Sequence, residues 1–189
     1  MRANSILLFF ICLSLFSYDA IFGQTPLNEK AYLSLRKIFG DSISVITTVI
    51  QLSPDEKTKI TQRSRNIVMN DTAIVHICTT HGKVEGYGFV DDVKGKDRLI
   101  TYLVAVNPTG SVKDVDVLVY RESYGGEIAY DSFRKQFREK TAQDKLEPGK
   151  DIKNISGATI SVHAITNGVK KILRLFEIIQ PRLQQLYEQ

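Results

Sequence analysis

The chain has 189 residues, 43% of them hydrophobic and 24% charged, which excludes a wholly disordered or fibrous protein and makes one domain the expectation. A net charge of +4, from 25 basic and 21 acidic residues with no basic run of five, is too mild to argue for a nucleic-acid partner. Two cysteines exclude a disulfide scaffold and a four-cysteine zinc site.

The first segment reads as an address. Arg2 supplies a short positive region, residues 6–16 are apolar except for Ser14, and Tyr18 and Asp19 close the run. So short a run is nearer the apolar part of a signal peptide than a membrane span, which takes roughly 20 apolar residues. Residues 1–23 are therefore expected to form a signal peptide cut after Gly23. An uncleaved anchor is the alternative, because Ile21 stands where a small residue is preferred. Cys12 follows Ile11, which does not suit lipidation. Cleavage would remove Arg2, Asp19 and Cys12, so the charge would stay at +4 and Cys78 would be left as a lone, buried thiol.

Residues 26–39 are expected to form a helix, with Leu27, Ala31, Leu33, Leu35 and Ile38 on an apolar stripe and Gly40 at its end. Residues 43–52 are β-branched and apolar, as in a strand. Ser53 as N-cap, Pro54 at the first helical position and acids Asp55 and Glu56 in the first turn start a second helix, to about Arg65. Four strand-like runs follow, over 72–80, 84–93, 97–107 and 112–120, with Ile100, Tyr102, Val104 and Val106 on one face of the third. His81-Gly82-Lys83 and Asn107-Pro108-Thr109-Gly110 read as turns, so the runs are expected to pair as an antiparallel meander. A helix over 130–140 and a polar connection precede the last element. There Val162, Ile165, Val169, Ile172, Phe176 and Ile179 recur in steps of three and four, giving one apolar helix face that Pro181 kinks or ends. The fold class is α+β, an antiparallel sheet with packed helices.

The start of that last helix carries the chemistry: Asp151, then Ser156-Gly157-Ala158-Thr159, then Ser161. A small-residue turn opening a long helix lets a ligand approach the backbone, and its unpaired N–H groups and dipole favour an anion. Ser156 is expected to cap the helix and Thr159 to place a hydroxyl in its first turn. Residue chemistry alone stops at an anion site, with simple close packing as the competing reading.

The pattern of an Asp, then Ser-Gly-Ala-Thr opening a helix, resembles the signature of the FMN-binding domain family. That family includes flavin-carrying components of the sodium-translocating NADH:quinone reductase and of the Rnf complex. Residues 86–96, the Gly-rich stretch 120–128 and residues 133–137 resemble further segments of the family, so the likeness covers roughly residues 72–178. The resemblance implies FMN held covalently on Thr159 through a phosphoester made from FAD by a flavin transferase. Asp151, Ser156, Gly157, Ala158 and Ser161 then belong to the attachment motif, with Asp151 recognised by the transferase. Tyr124, Gly125, Gly126, Glu127 and Arg121 are candidates to lie near the flavin ring: Tyr124 to stack, the glycines to allow close approach, Arg121 to favour the anionic reduced form. For Arg121 and Glu122 the competing reading is a surface ion pair.

The implied protein is an exported electron carrier of the periplasm or outer membrane face. Its partners are a flavin transferase and a redox protein, with a membrane electron-transfer complex as one setting for the latter, and it needs no catalytic residue of its own. Two alternatives stand beside it: a flavin-dependent reductase of the same fold, and a module that binds a phosphate or nucleotide reversibly. The expected division is a signal over 1–23, an N-terminal extension over 24–70, the FMN-binding domain over 71–180 and a tail over 181–189. No metal is expected, since His76 and Cys78 share a strand face without a third ligand. His163 and the basic Lys170, Lys171 and Arg174 read as a solvated helix face.

Overall fold

The computed structural model describes residues 26–64 and 67–187. The expected signal peptide and Arg65 lie outside the described residues.

Helix α1, Pro26–Phe39, ends as expected: Gly40 takes φ 111° and its N–H returns to Arg36 O at 2.8 Å. Strand β1 is Ser44–Gln51 and helix α2 is Pro54–Ser64. The start of α2 is a reciprocal capping box. Ser53 N–H donates to Glu56 Oε2 at 2.8 Å, and Glu56 N–H donates to Ser53 Oγ at 3.2 Å. Strands β2 (Thr72–Thr80), β3 (Lys83–Lys94), β4 (Leu99–Val106) and β5 (Val112–Val119) follow. The sheet runs β1-β2-β3-β4-β5, every neighbour antiparallel, which is the expected meander. His81 and Gly82 both take positive φ, 50° and 78°, forming the two-residue turn whose twist matches a hairpin.

The expected helix over 130–140 is broken into a 3-10 turn at Gly126–Ala129, helix α3 at Asp131–Arg134 and a second 3-10 turn at Lys135–Phe137. Tertiary pairing overrides the local ladder here. Glu139 N–H donates to Val112 O and Val112 N–H donates to Lys140 O, both at 2.8 Å, which draws the chain onto the start of β5. The Arg134 guanidinium donates to Ala129 O at 2.9 Å and Val115 O at 2.6 Å, pinning the segment to β5.

Helix α4, Thr159–Tyr187, lays its stripe on one face of the sheet, and all six predicted apolar positions are buried. Each such side chain is worth roughly 1.5–3 kcal/mol of burial. Pro181 does not end the helix. It forfeits one backbone hydrogen bond, but Leu183 beyond it is fully buried. Gly168 lets α4 approach closely: a Cβ there would stand 2.5 Å from Tyr102 Oη. That hydroxyl donates to Asp91 Oδ2 at 2.7 Å, and Lys171 Nζ meets the same oxygen at 2.5 Å. With Arg174 on Glu177 and Lys170 on Lys145 O, the basic residues of α4 are partnered, contrary to the solvated face expected of them.

The opposite face of the sheet was not anticipated. There α1 packs on β3, where a Cβ on Gly86 would collide with the Phe39 ring and one on Gly88 would fall 2.6 Å from Leu35 Cδ2. Leu103, Ala105 and Cys78 are buried beneath α1 with Ala31 and Leu35, so β4 is covered on both faces. Residues 26–52 thus contribute a covering helix and the first strand to the same sheet as the residues after 71. Among the described residues no helix is long and apolar enough to cross a membrane.

Candidate functional site

Three segments meet where α4 begins. The first is the approach to the helix. Asp151 accepts N–H bonds from Glu147 at 2.6 Å and Leu146 at 2.9 Å, closing the 146–151 loop. Partial burial pushes the Asp151 carboxyl up, but these N–H donors and Lys140 outweigh it and hold the group below the usual carboxylate range. Ile152 is fully buried, which anchors the chain before it turns through Ser156 and Gly157. Gly157 takes φ 82°, and Ala158 N–H returns to Ile155 O at 3.0 Å.

Ser156 therefore lies in the turn and does not cap the helix. The residue before the helix is Ala158, which has no side-chain acceptor. Thr159 is the first helical residue and is exposed, and its Oγ1 has only a long 3.5 Å contact from Asn154 Nδ2.

The second segment follows β5. Tyr120 Oη donates to Tyr124 O and stands 3.0 Å from Ser161 Oγ. A carbonyl can only accept, so the Tyr120 hydroxyl spends its proton there and Ser161 donates to it. Ser161, 4% exposed, thus ties the first turn of α4 to the 120–124 segment. Gly125 completes the joint at φ 88°: a Cβ on it would stand 2.8 Å from Tyr120 Oη and 2.9 Å from Ser161 Oγ. Tyr124, 85% exposed, projects its ring to solvent beside the helix start.

The third segment is the loop between β3 and β4. Glu122 Oε1 accepts the N–H of Asp97 at 2.8 Å and of Arg98 at 2.9 Å. The N–H of Arg98 does most to hold the Glu122 carboxyl below its ordinary value, with Asp97 N–H and Lys96 adding to it against partial desolvation.

An open cleft of about 450 Å³ lies between the segments. Of the residues expected at the site, Gly157, Ala158, Thr159, Ser161 and Tyr124 line it. Gly125 sits behind its wall. Ser156, Gly126, Glu127 and Arg121 do not line it; Glu127 is exposed in the 3-10 turn, and Arg121 reaches only Leu99 O, at 3.5 Å. Among the described residues no ion pair joins Arg121 to Glu122, because the Glu122 carboxylate is turned to the 95–98 loop. Lys96, Asp97 and Glu122 also line the cleft, and Tyr120 braces it; the sequence placed Tyr120 and Glu122 in the stretch expected near the ring and Lys96 in a family-like segment, but gave none of the four a role of its own. The bonds from Glu122 to Asp97 and Arg98 and from Tyr120 to Ser161 span 24 to 41 residues, so no local pattern signals them.

The other candidate ligands lie outside the cleft. Cys78 is fully buried under α1, and burial pushes its thiol up to about 12. His76 lies 3.0 Å from Thr47 Oγ1, and burial pushes its imidazole down. His163 is exposed. Among the described residues no group of three His, Cys, Asp or Glu could hold a metal ion.

A five-stranded antiparallel sheet whose long last helix opens into a cleft, with a hydroxyl, a cation and an aromatic ring on the walls, makes an α+β domain with room for a small molecule at the helix start. Residues 95–174, which hold the cleft and most of α4, match the FMN-binding domain model. The chain is 37% identical over 97 residues to the G component of the proton-translocating ferredoxin:NAD(+) oxidoreductase complex of Clostridium ljungdahlii. That match covers 47% of this chain and 52% of the relative, so the chain spans about half the length of the curated relative it matches. The crystal structure of NqrC from Shewanella oneidensis superposes with a TM-score of 0.56 over 88% of this chain and 92% of that one. At 18% identity that likeness shows the shared fold.

Proposed function

We propose that the protein is an exported electron carrier with FMN attached covalently to Thr159. The observation that carries this reading is the Thr159 side chain, exposed at the mouth of the cleft, in the domain that matches the FMN-binding family. The residues present fit the group. The cleft falls within the roughly 300–1,000 Å³ of small-molecule sites. Thr159 offers an ester-forming hydroxyl, the uncapped helix start favours a phosphate, Lys96 brings a cation and Tyr124 a ring that can stack.

Attachment balances as a phosphoryl transfer from FAD. The Thr159 oxygen forms the new P–O bond as the pyrophosphate bond breaks, AMP leaves and the hydroxyl proton passes to solvent or to the transferase. Asp151 then serves the transferase by keeping the 146–151 loop in one shape. Bound FMN supplies reversible electron uptake, and the tether keeps it from the medium without a deep pocket. The partner is a redox protein in a membrane electron-transfer complex, a proposal supported by the relative that is itself part of an oxidoreductase complex.

Intact-mass spectrometry tests the attachment, on full-length protein co-expressed with a flavin transferase, beside Thr159→Val. The expected result is an added mass of FMN minus water in the native chain and none in the variant. The N-terminal mass in the same spectrum reports cleavage after Gly23. No added mass with an active transferase would overturn covalent attachment.

A further inference from the structure

Glu122 lies outside the Ser-Gly-Ala-Thr motif, and its carboxylate joins the segment after β5 to the loop between β3 and β4. Its Oε1 accepts two backbone N–H groups, from Asp97 and Arg98, across a gap of 25 and 24 residues. Gly95 is shaped to admit it: a Cβ on Gly95 would overlap the same oxygen and stand 3.2 Å from Arg98 O. The loop closes on itself as well, with Gly95 N–H donating to Arg98 O at 2.9 Å. The carboxylate therefore sits inside the loop as its third side. A charged acceptor makes such bonds roughly twice as strong as a neutral one.

This clasp has a consequence for charge. Lys96 lies directly before Asp97 in the clasped 95–98 loop and lines the cleft, as does Thr159. Within that lining Lys96 is the one cation, against Asp97 and Glu122. It forms no ion pair with either at 4.0 Å or less among the described residues; the Glu122 carboxylate feels its charge but is engaged with backbone N–H groups. An ammonium so placed, in a wall held from behind, is available to a negative charge on whatever fills the cleft.

We propose that Glu122 is a positioning residue that clasps the 95–98 loop and thereby fixes Lys96 as the cation for the negative charge of the bound flavin. The negative charge is the ligand's phosphate or its reduced ring. The Lys96 half of the proposal rests on the flavin reading above; the clasp itself does not.

The test uses the full chain and four variants: Glu122→Ala, Glu122→Gln, Gly95→Ala and Lys96→Gln. Amide hydrogen exchange reads the clasp without any flavin. Glu122→Ala is expected to speed exchange at Asp97 and Arg98 at least tenfold. Gly95→Ala should do the same by evicting the carboxylate, and Glu122→Gln, which keeps an oxygen acceptor, should fall between. Lys96→Gln should leave exchange unchanged. In flavin-loaded protein, Lys96→Gln and Glu122→Ala should change the same quantity. A lower rate of flavin attachment assigns Lys96 to the phosphate. A more negative midpoint potential, by about tenfold in the reduced-to-oxidised ratio or ~30 mV for two electrons, assigns it to the reduced ring. Native exchange rates in Glu122→Ala would overturn the clasp. Unchanged attachment and potential in Lys96→Gln would overturn the role of the cation. Failure of the native chain to take flavin would sink the flavin reading, and the exchange rates would still decide the clasp.

Discussion

Gly125 and Gly126 are neighbours of identical composition, and the structure separates them sharply. Gly125 takes φ 88°, where an L-residue costs roughly 1–2 kcal/mol. Its Cβ would also stand 2.8 Å from Tyr120 Oη, 2.9 Å from Ser161 Oγ and 3.4 Å from Ala158 Cα. The two hydroxyls are bonded to each other, and one of them is bonded to Tyr124 O, so neither can retreat without breaking the joint. Overpacking of this kind costs about 1–3 kcal/mol. Gly125→Ala should therefore lose about 2–5 kcal/mol, a fall in Tm of roughly 4–20 °C for a chain of this size. Gly126 lacks a positive φ, and its Cβ would meet Tyr120 Cε1 at 3.6 Å, an ordinary contact. Gly126→Ala should change stability by less than about 1 kcal/mol, in part because alanine narrows the unfolded ensemble. Urea titration of both variants, with the slope checked for constancy, measures the difference. Equal stabilities for the two variants would refute the view that the 120–125 segment is locked onto the helix start through Gly125.

Two further outcomes follow from the charged and buried groups. The Asp151 carboxyl is held below its unfolded value of about 3.9, so its contribution is present above that pH and lost as pH falls through the lower folded value. Asp151→Asn should cost about 1–2 kcal/mol at pH 7, after allowing for its partial exposure, and should flatten the loss of stability as pH falls below about 4. Thermal melts across that range check it, and a variant with the native acid slope would count against the loop clasp. Cys78, with its thiol pushed up to about 12 and no exposed surface, should remain unalkylated at pH 8 in native protein and react only on unfolding. Site-resolved mass spectrometry after iodoacetamide treatment decides this, and rapid native labelling would show that α1 does not stay seated.

What could be read from the residues alone is what short-range physics controls. The start of α2 needs only Ser53, Pro54 and Glu56, all within one turn, and the capping box forms as the residue types require. The stripe on α4 needs only a helical period, and the hairpin at His81-Gly82 needs only two residues that tolerate positive φ. Successive strands with short turns leave little choice but a meander. The Ser156-Gly157-Ala158-Thr159 motif was visible for the same reason, being contiguous.

Other features came from long-range packing. Only one face of β4 was assigned to the core from its pattern, because nothing local says that Leu103 and Ala105 on the other face are covered by α1, which approaches through the space left by Gly86 and Gly88 of β3. The helix expected over 130–140 gave way to pairing with β5, and Pro181 was carried through by a buried Leu183. The back of the cleft depends on Glu122 reaching a loop 25 residues earlier and on Tyr120 meeting a serine 41 residues later. Periodicity carries no sign of such pairs, since either partner alone is an ordinary polar residue on a surface. The motif that ends in Thr159 was therefore a property of the local sequence. The walls of its cleft were decided by the tertiary structure, because contacts between distant segments exist only once the sheet has brought them together.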